Sequence, residues 1–261
     1  MIMEDIRIFS YLPNPRVWKS LITAKLIDAK VKVMGDKPKN LPKWLWDFDA
    51  KKLEDLNFED LEKYKRSSKR GFKVNLYKTE EFLLKHPFGT VPAGFNADGS
   101  VGIFESNSIM RAVARVTSGH NLYGGNDSFK QSRIDSFLDA NLVFAREFQV
   151  YVLELNELNE YLYKRMTSAY LFYLDGIEKA LSSNKFIAGN ELSIVDISFV
   201  CDLAQFLRER DNKELIENQG FEIITKNFET DFPNSYNHLK NLYARKEFKE
   251  IMGDYLKKAF V

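Results

Sequence analysis

Short apolar segments alternate with helically spaced ones near the start of the chain. The stretch IRIFSY (6–11) is typical of a buried strand, and KVKVM (30–34) alternates as a half-buried strand does. Between them, RVWKSLITAKLIDA (16–29) carries apolar residues near helical spacing. Pro15 suits the first turn of that helix, because its fixed φ fits there and its missing N–H is not needed. The pattern predicts a β-α-β unit.

A second set of short elements follows after an interruption. Thr79 begins a short helix that ends before Pro87. The segments VPAGF and SVGIF predict two strands, and the turn NADG between them contains Asp98-Gly99, a hairpin signal. A helix with an apolar face then begins at Ser106. This part of the chain is therefore predicted to fold as α-β-β-α.

Residues 35–78 form the interruption and are rich in charge, first acidic and then basic. Because a structureless loop of this length is improbable in a compact domain, we predict an insertion with a short helix of its own, anchored by Trp44, Trp46 and Phe48. We expect this insertion to act as a solvated cover over the domain. The stretch KYKRSSKRGFK (63–73) could hold phosphates, but the acidic neighbours make nucleic acid an improbable partner.

The second half of the chain has a different pattern. A glycine-rich linker, TSGHNLYGGND (117–127), is followed by segments whose periodicity is helical throughout. Ser193 and Asp196 stand in the spacing of a capping box, which marks the start of a helix. The order of elements predicts an α/β + all-α protein, with an α/β domain at 1–117 and an all-helical domain at 128–261.

Composition and charge narrow the function classes. The 261 residues include 38 basic and 37 acidic side chains, so nothing global favours nucleic acid or an anionic membrane. No apolar run approaches the length of a membrane span, and the start of the chain does not resemble a secretory leader. A cytoplasmic protein without membrane contact is expected.

Cysteine and histidine offer little chemistry. Cys201 is the single cysteine, which excludes an internal disulfide, and we predict that it is a buried small apolar residue. His86, His120 and His238 are scattered without metal-ligand spacing, so no metal site is expected. We expect these histidines at the surface or in loops.

The stretch GTVPAGFNADGSVGIFESNSI carries the candidate chemistry. Pro92 donates no ladder hydrogen bond, and a cis bond before it would turn the Val91 N–H and C=O towards an extended ligand. Ser106 is a candidate N-cap whose helix attracts a carboxylate, and Glu105 could pair with an ammonium. These groups suit a short peptide with a free amino-acid head. The alternative is that Glu105 and Ser106 only cap the helix.

Several motifs resemble one family. HPFGTVPAGFNADGSVGIFESNSI resembles the glutathione-binding half of the glutathione S-transferase superfamily, and FIAGNELSIVDISFVCDL resembles its second domain. SYLPNPRVWKSLITAK and FPNSYNHLKNLYARKEF extend the resemblance to the transferase-like domain of the elongation factor 1 gamma subunit, everywhere except 35–78. The resemblance implies a thioredoxin-like N-terminal domain followed by a helical glutathione S-transferase C-terminal domain.

The resemblance also implies a binding site for glutathione. In the family a cis-proline loop holds the cysteine of glutathione, and a Glu/Asp-Ser pair holds its γ-glutamyl head. The matching positions in this sequence are Thr90, Val91, Pro92, Glu105 and Ser106.

The position that activates the thiol is less clear from the residues. The family lowers the pKa of the glutathione thiol with a donor near the end of the first strand, because the thiolate is the nucleophile. Asn14, Tyr11 and Arg16 are the catalytic candidates in that region, with Ser10 as a further hydroxyl. The alternative is that Asn14 caps the helix and Arg16 is solvated.

Two functions follow from the resemblance. The first is a glutathione-dependent transferase that joins the glutathione thiolate to an electrophilic small molecule, without a metal and as a homodimer. The second is a non-catalytic interaction module resembling the elongation factor 1 gamma subunit. We expect no counterpart of the gamma subunit's separate C-terminal domain, which favours the transferase. The lack of an obvious catalytic serine or cysteine favours the module.

Overall fold

A computed structural model describes residues 5–57, 61–67, 72 and 74–257. The chain divides into two compact units, Met1–Thr117 and Ser118–Val261. Within the described part of the chain, no helix combines the length and apolar character needed to cross a membrane.

The first unit is a mixed α/β domain. Its elements are β1 (Ile6–Tyr11), α1 (Pro15–Ile27), β2 (Val31–Asp36), β3 (Trp44–Trp46), β4 (Lys51–Lys52), β5 (Lys65–Ser67), β6 (Asn75–Lys78), α2 (Glu80–Lys85), β7 (Ala93–Asn96), β8 (Gly102–Ile103) and α3 (Ser106–Arg115). The main sheet has the order β2-β1-β7-β8. Strand β1 runs parallel to β2 and antiparallel to β7, and β7 runs antiparallel to β8.

Local sequence signals account for most of this domain. Pro15 occupies the first turn of α1, and Thr79 Oγ1 caps α2 by accepting from Phe82 N at 3.0 Å. Strands β7 and β8 form the predicted hairpin, with Gly99 at φ 73° in the turn. The β-α-β unit and the α-β-β-α segment are therefore confirmed.

The inserted segment contains more than the predicted short helix. Its described residues form short 3-10 helices, among them Pro38–Lys43, and a second sheet of order β4-β3-β6-β5. The strands are only two to four residues long, and β3 pairs with β6 in parallel, far away in sequence. Such short strands leave almost no periodicity in the sequence, which is why the sheet was not predicted.

The inserted segment is also more than a solvated cover. Leu41, Trp46 and Leu76 are buried in the same apolar cluster as Phe9 and Phe82 of the main domain. Partly buried Trp44 and Phe48 pack against that cluster, as the predicted anchoring requires. Of the basic stretch considered for phosphate contact, 68–71 and 73 lie outside the described residues.

The second unit is helical, as predicted. Its helices are α4 (Ser128–Leu153), α5 (Glu160–Leu181), α6 (Ile194–Phe206), α7 (Lys213–Glu217), α8 (Phe228–Asp231), α9 (Pro233–Tyr243) and α10 (Lys246–Met252). The capping box of α6 is confirmed, since Ser193 Oγ accepts from Val195 N and Asp196 Oδ2 accepts from Ser193 N. Cys201 is buried in α6, also as predicted.

Two histidines correct the sequence interpretation. His86 and His238 are both buried rather than at the surface. His86 stacks on the Phe82 ring, with 5.5 Å between ring centroids, and the His238 Nε2 lies 2.8 Å from Asp196 Oδ1. Aromatic packing and a carboxylate contact thus account for burial that sequence spacing did not show.

Candidate functional site

The register of the main sheet brings the candidate residues together. Phe9 pairs with Ala93, so the end of β1 lies beside the start of β7. Gly94 pairs with Ile103, so the connection from β8 to α3 lies at the same end of the sheet. We call this end, where β1 ends, β7 begins and α3 starts, the site edge.

The Asn14 side chain joins β1 to α1. It is fully buried, its Nδ2 donates to Ser10 Oγ at 3.0 Å, and its Oδ1 accepts from Arg16 N at 2.9 Å. Asn14 is the N-cap of α1. Both polar atoms of the Asn14 amide therefore form hydrogen bonds within the protein. This is the helix-capping role that the sequence analysis gave as the alternative to thiol activation.

The other two thiol candidates are less buried. Tyr11 is half-buried at the end of β1, where it packs against the aromatic cluster that contains Phe9 and Trp46. Arg16 is half-buried in the first turn of α1. Of the three candidates, these two retain accessible surface at the site edge.

The loop before β7 presents a backbone segment. The Val91–Pro92 bond is cis, and Pro92 is buried directly before β7 begins at Ala93. Thr90 is exposed and Val91 is half-buried. Within the described parts of the chain, the Val91 N–H and C=O form no hydrogen bond. Both groups are thus available to an extended ligand.

A lysine from the inserted segment supports this loop. Lys78 Nζ donates to Gly89 O at 2.7 Å and lies 4.7 Å from the centroid of the Trp46 ring. Burial lowers the pKa of the Lys78 ammonium. His86, which precedes the loop, packs against the ring of Phe104. The loop before β7 is therefore held by a side chain of the inserted segment.

The start of α3 corrects one detail of the prediction. Glu105, not Ser106, is the N-cap, and its φ of 66° and ψ of 128° form a positive-φ turn into the helix. Ser106 is already in the helix, and its side chain does not cap it. Ser106 does not cap the helix because it lies at the first helical position, and its side chain contacts α1 instead.

The contacting residue in α1 is Lys19, which the sequence interpretation missed. Lys19 is 1% exposed, and its Nζ lies 2.9 Å from Asn107 Oδ1 and 3.4 Å from Ser106 Oγ. The two acceptors are 88 and 87 residues away along the chain. A lysine in an amphipathic helix usually indicates a solvated face, and no local signal distinguishes this one.

Comparison with known proteins identifies the family of the second unit. A family model described as "Glutathione S-transferase, C-terminal domain" matches residues 148–246. These residues belong to that domain family. Elongation factor 1-gamma 1 of Oryza sativa subsp. japonica is 31% identical over 189 residues, covering 68% of this chain and 40% of that protein. Elongation factor 1-gamma of Mus musculus is 22% identical over 250 residues, covering 95% of this chain and 46% of that protein.

Solved structures share the fold. A glutathione S-transferase from Methylobacillus flagellatus KT with glutathione bound gives a TM-score of 0.64 at 13% identity, covering 94% of this chain and 98% of that one. Ure2p in complex with glutathione gives 0.62 at 17% identity, covering 96% and 99%. These identities establish the fold alone. The chain spans between two fifths and one half of the length of the two elongation factor relatives.

Proposed function

We propose that the first unit binds glutathione at the site edge, and that the protein transfers the glutathione thiolate to an electrophilic small molecule. The observation that carries this proposal is the start of α3. There, a buried serine hydroxyl and the N–H groups of a helix without a side-chain cap lie next to the exposed carboxylate of Glu105. An amino-acid head group, with one negative and one positive end, complements this pair.

The rest of glutathione follows from the register of the sheet. With the γ-glutamyl carboxylate at Ser106 and its ammonium at Glu105, the peptide extends towards Val91. The free N–H and C=O of Val91 would pair with the cysteine residue as an added strand does. Thr90 and Pro92 shape the loop that holds this segment. Two solved structures of the same fold contain glutathione, which supports glutathione as the ligand.

The thiol then lies near the end of β1. A free thiol has a pKa near 8.5, so a nearby donor or positive charge increases the thiolate fraction at neutral pH. We assign this role to Arg16, whose charge is permanent, with Tyr11 as a hydroxyl donor. Asn14 is the least suitable candidate, because its amide is buried and bound within the fold. The thiolate forms a C–S bond with the electrophilic carbon, the leaving group departs with its electron pair, and the thiol proton passes to solvent.

A second candidate function is an interaction module in an elongation factor assembly. The similarity to elongation factor 1-gamma proteins favours it, as does the use of Asn14 in capping. In this case the site edge would bind glutathione weakly or not at all. We place the transferase first because groups complementary to an amino-acid head and to a peptide backbone lie together at the site edge.

Glu105→Gln tests the binding site. The substitution keeps the shape of the side chain and removes its charge, so a lost charge-assisted hydrogen bond lowers glutathione affinity by about 10- to 100-fold. Isothermal titration calorimetry measures the affinity, and the melting temperature should not change. Glu54→Gln, an exposed carboxylate of the inserted segment, is the matched control. Equal affinity for wild type and Glu105→Gln would remove Glu105 from the site.

Two measurements separate the candidate functions. Conjugation of glutathione to an aryl halide should be detectable with wild type and should fall about tenfold or more in Arg16→Met, by loss of a charged contact to the thiolate. Glutathione binding without conjugation of any tested electrophile, together with co-purification of an elongation factor subunit, would favour the module. We also propose a homodimer, by analogy with the family, which sedimentation at micromolar concentration tests.

A further inference from the structure

The buried ammonium of Lys19 lies under the first turn of α3. A lysine side chain is almost never fully buried without partners, because removing an ammonium from water costs several kcal/mol. Methionine would fill a similar volume without that cost. In α3, Lys19 Nζ donates to Ser106 Oγ and Asn107 Oδ1, which are both neutral oxygens of the first turn. The Lys19 ammonium thus lies where the helix N-terminus is already positive.

The contact with Ser106 orients the serine hydroxyl. An ammonium has three donors and no acceptor, so Ser106 Oγ accepts and the hydroxyl hydrogen must point elsewhere. Ser106 is 7% exposed, and within the described chain its hydroxyl donates to no acceptor. A buried hydroxyl with an unused donor is uncommon in a folded protein.

We propose that Lys19 is a positioning residue for the carboxylate of the γ-glutamyl head, and this inference rests on the proposed glutathione site. Lys19 acts through Ser106 and Asn107. It turns the Ser106 hydroxyl hydrogen towards the ligand and supplies a positive charge beneath the carboxylate. The site therefore selects ligands whose head group carries a free α-carboxylate, and Glu105 selects separately for the ammonium.

Three ligands and one substitution test this assignment. The ligands are glutathione, 4-aminobutanoyl-Cys-Gly, which lacks the α-carboxylate, and glutaryl-Cys-Gly, which lacks the α-ammonium. Lys19→Met should weaken glutathione and glutaryl-Cys-Gly by about tenfold or more, since a charge-assisted contact is lost. It should leave 4-aminobutanoyl-Cys-Gly unchanged. Lys25→Met, an exposed lysine of the same helix, should change none of the three affinities.

A purely structural role for Lys19 gives a different result. Distortion of the site would weaken all three ligands together, and an independent site edge would leave all three unchanged. Either outcome overturns the inference while the proposed function stands. If wild type binds no glutathione at millimolar concentration, the proposed function falls and the inference falls with it.

A second variant covers the case in which Lys19→Met does not fold. Asn107→Asp replaces a neutral acceptor of Lys19 with a carboxylate of the same shape, which pairs with the ammonium and repels the ligand carboxylate. Glutathione affinity should fall about tenfold or more without loss of thermal stability. Unchanged affinity in Asn107→Asp would overturn the inference. So would equal affinity of wild type for glutathione and 4-aminobutanoyl-Cys-Gly.

Discussion

The N-termini of α3 and α6 each contain a serine and a carboxylate residue, but their backbone N–H groups are satisfied in different ways. At α6, the buried Asp196 accepts from Ser193 N at 2.8 Å and from Ile187 N at 3.0 Å, and it contacts His238 Nε2. At α3, no described side chain caps the helix, and the Ser106 hydroxyl accepts from Lys19 without donating in turn. The start of α6 is saturated by contacts within its own fold, whereas the start of α3 leaves backbone N–H donors available.

Under the proposed function, this difference separates a structural motif from a binding motif. Hydrogen-bond donors that already have internal acceptors stabilise the fold and offer nothing to a ligand. Donors without an internal acceptor cost stability and can pair with a ligand carboxylate. Substitutions at α6 should therefore lower stability without changing glutathione affinity, and substitutions at α3 should lower glutathione affinity without lowering stability.

The largest effect is expected at α6. Asp196→Ala removes the acceptor of two backbone N–H groups and of the Ser193 hydroxyl, all buried. Leaving these donors unpaired should lower the free energy of unfolding by about 3 kcal/mol or more, measured by urea denaturation. Asp231→Ala, at an exposed position of α8, is the control. A loss below about 1 kcal/mol would show that α6 is not saturated in the way described.

An intermediate effect of opposite sign is expected at α3. Glu105→Gly relieves the cost of a positive φ, so the free energy of unfolding should rise by about 1 kcal/mol while glutathione affinity falls. Asp28→Gly, at φ 57° and ψ 32° after α1, is the matched control. Its gain should be smaller, because short polar residues tolerate the left-handed helical region, and its glutathione affinity should be that of wild type. A destabilised Glu105→Gly would contradict the comparison.

The smallest effect concerns the buried His86. Burial lowers the pKa of His86 below its ordinary value of 6.5. The unfolded chain then takes up a proton before the folded chain does, so stability should fall as the pH falls below about 6.5. His86→Leu should flatten this dependence, as measured by thermal unfolding between about pH 5 and 7. An identical slope in His86→Leu would exclude His86 as a source.

Sequence patterns predicted those features whose cause is local. The Thr79 cap, the Asp98-Gly99 hairpin and the Ser193–Asp196 box each depend on residues at most four positions apart. The helical second unit followed from periodicity over long segments. In each case the stabilising contact lies within the window in which the pattern is read.

The features that the sequence did not predict depend on distant partners. Lys19 meets Ser106 and Asn107 only after the sheet brings α1 and α3 together. The pairing of β3 with β6 joins segments on either side of a charged stretch. The positive φ of Glu105 is unexpected for this residue type, so the N-cap was placed one residue late. The candidate glutathione-binding residues stay a prediction, and the lysine beneath Ser106 was not predicted.

The bond from Lys78 to the loop before β7 has a consequence for protein engineering. A shortened chain that spliced Asp36 to Thr79 would look like the removal of a surface appendage. It would in fact delete Trp46 and Leu76 from the apolar cluster and remove the ammonium that binds Gly89 O. The Val91–Pro92 segment follows directly. The inserted sheet is therefore not an excisable module, and a chain without it would have a different site edge.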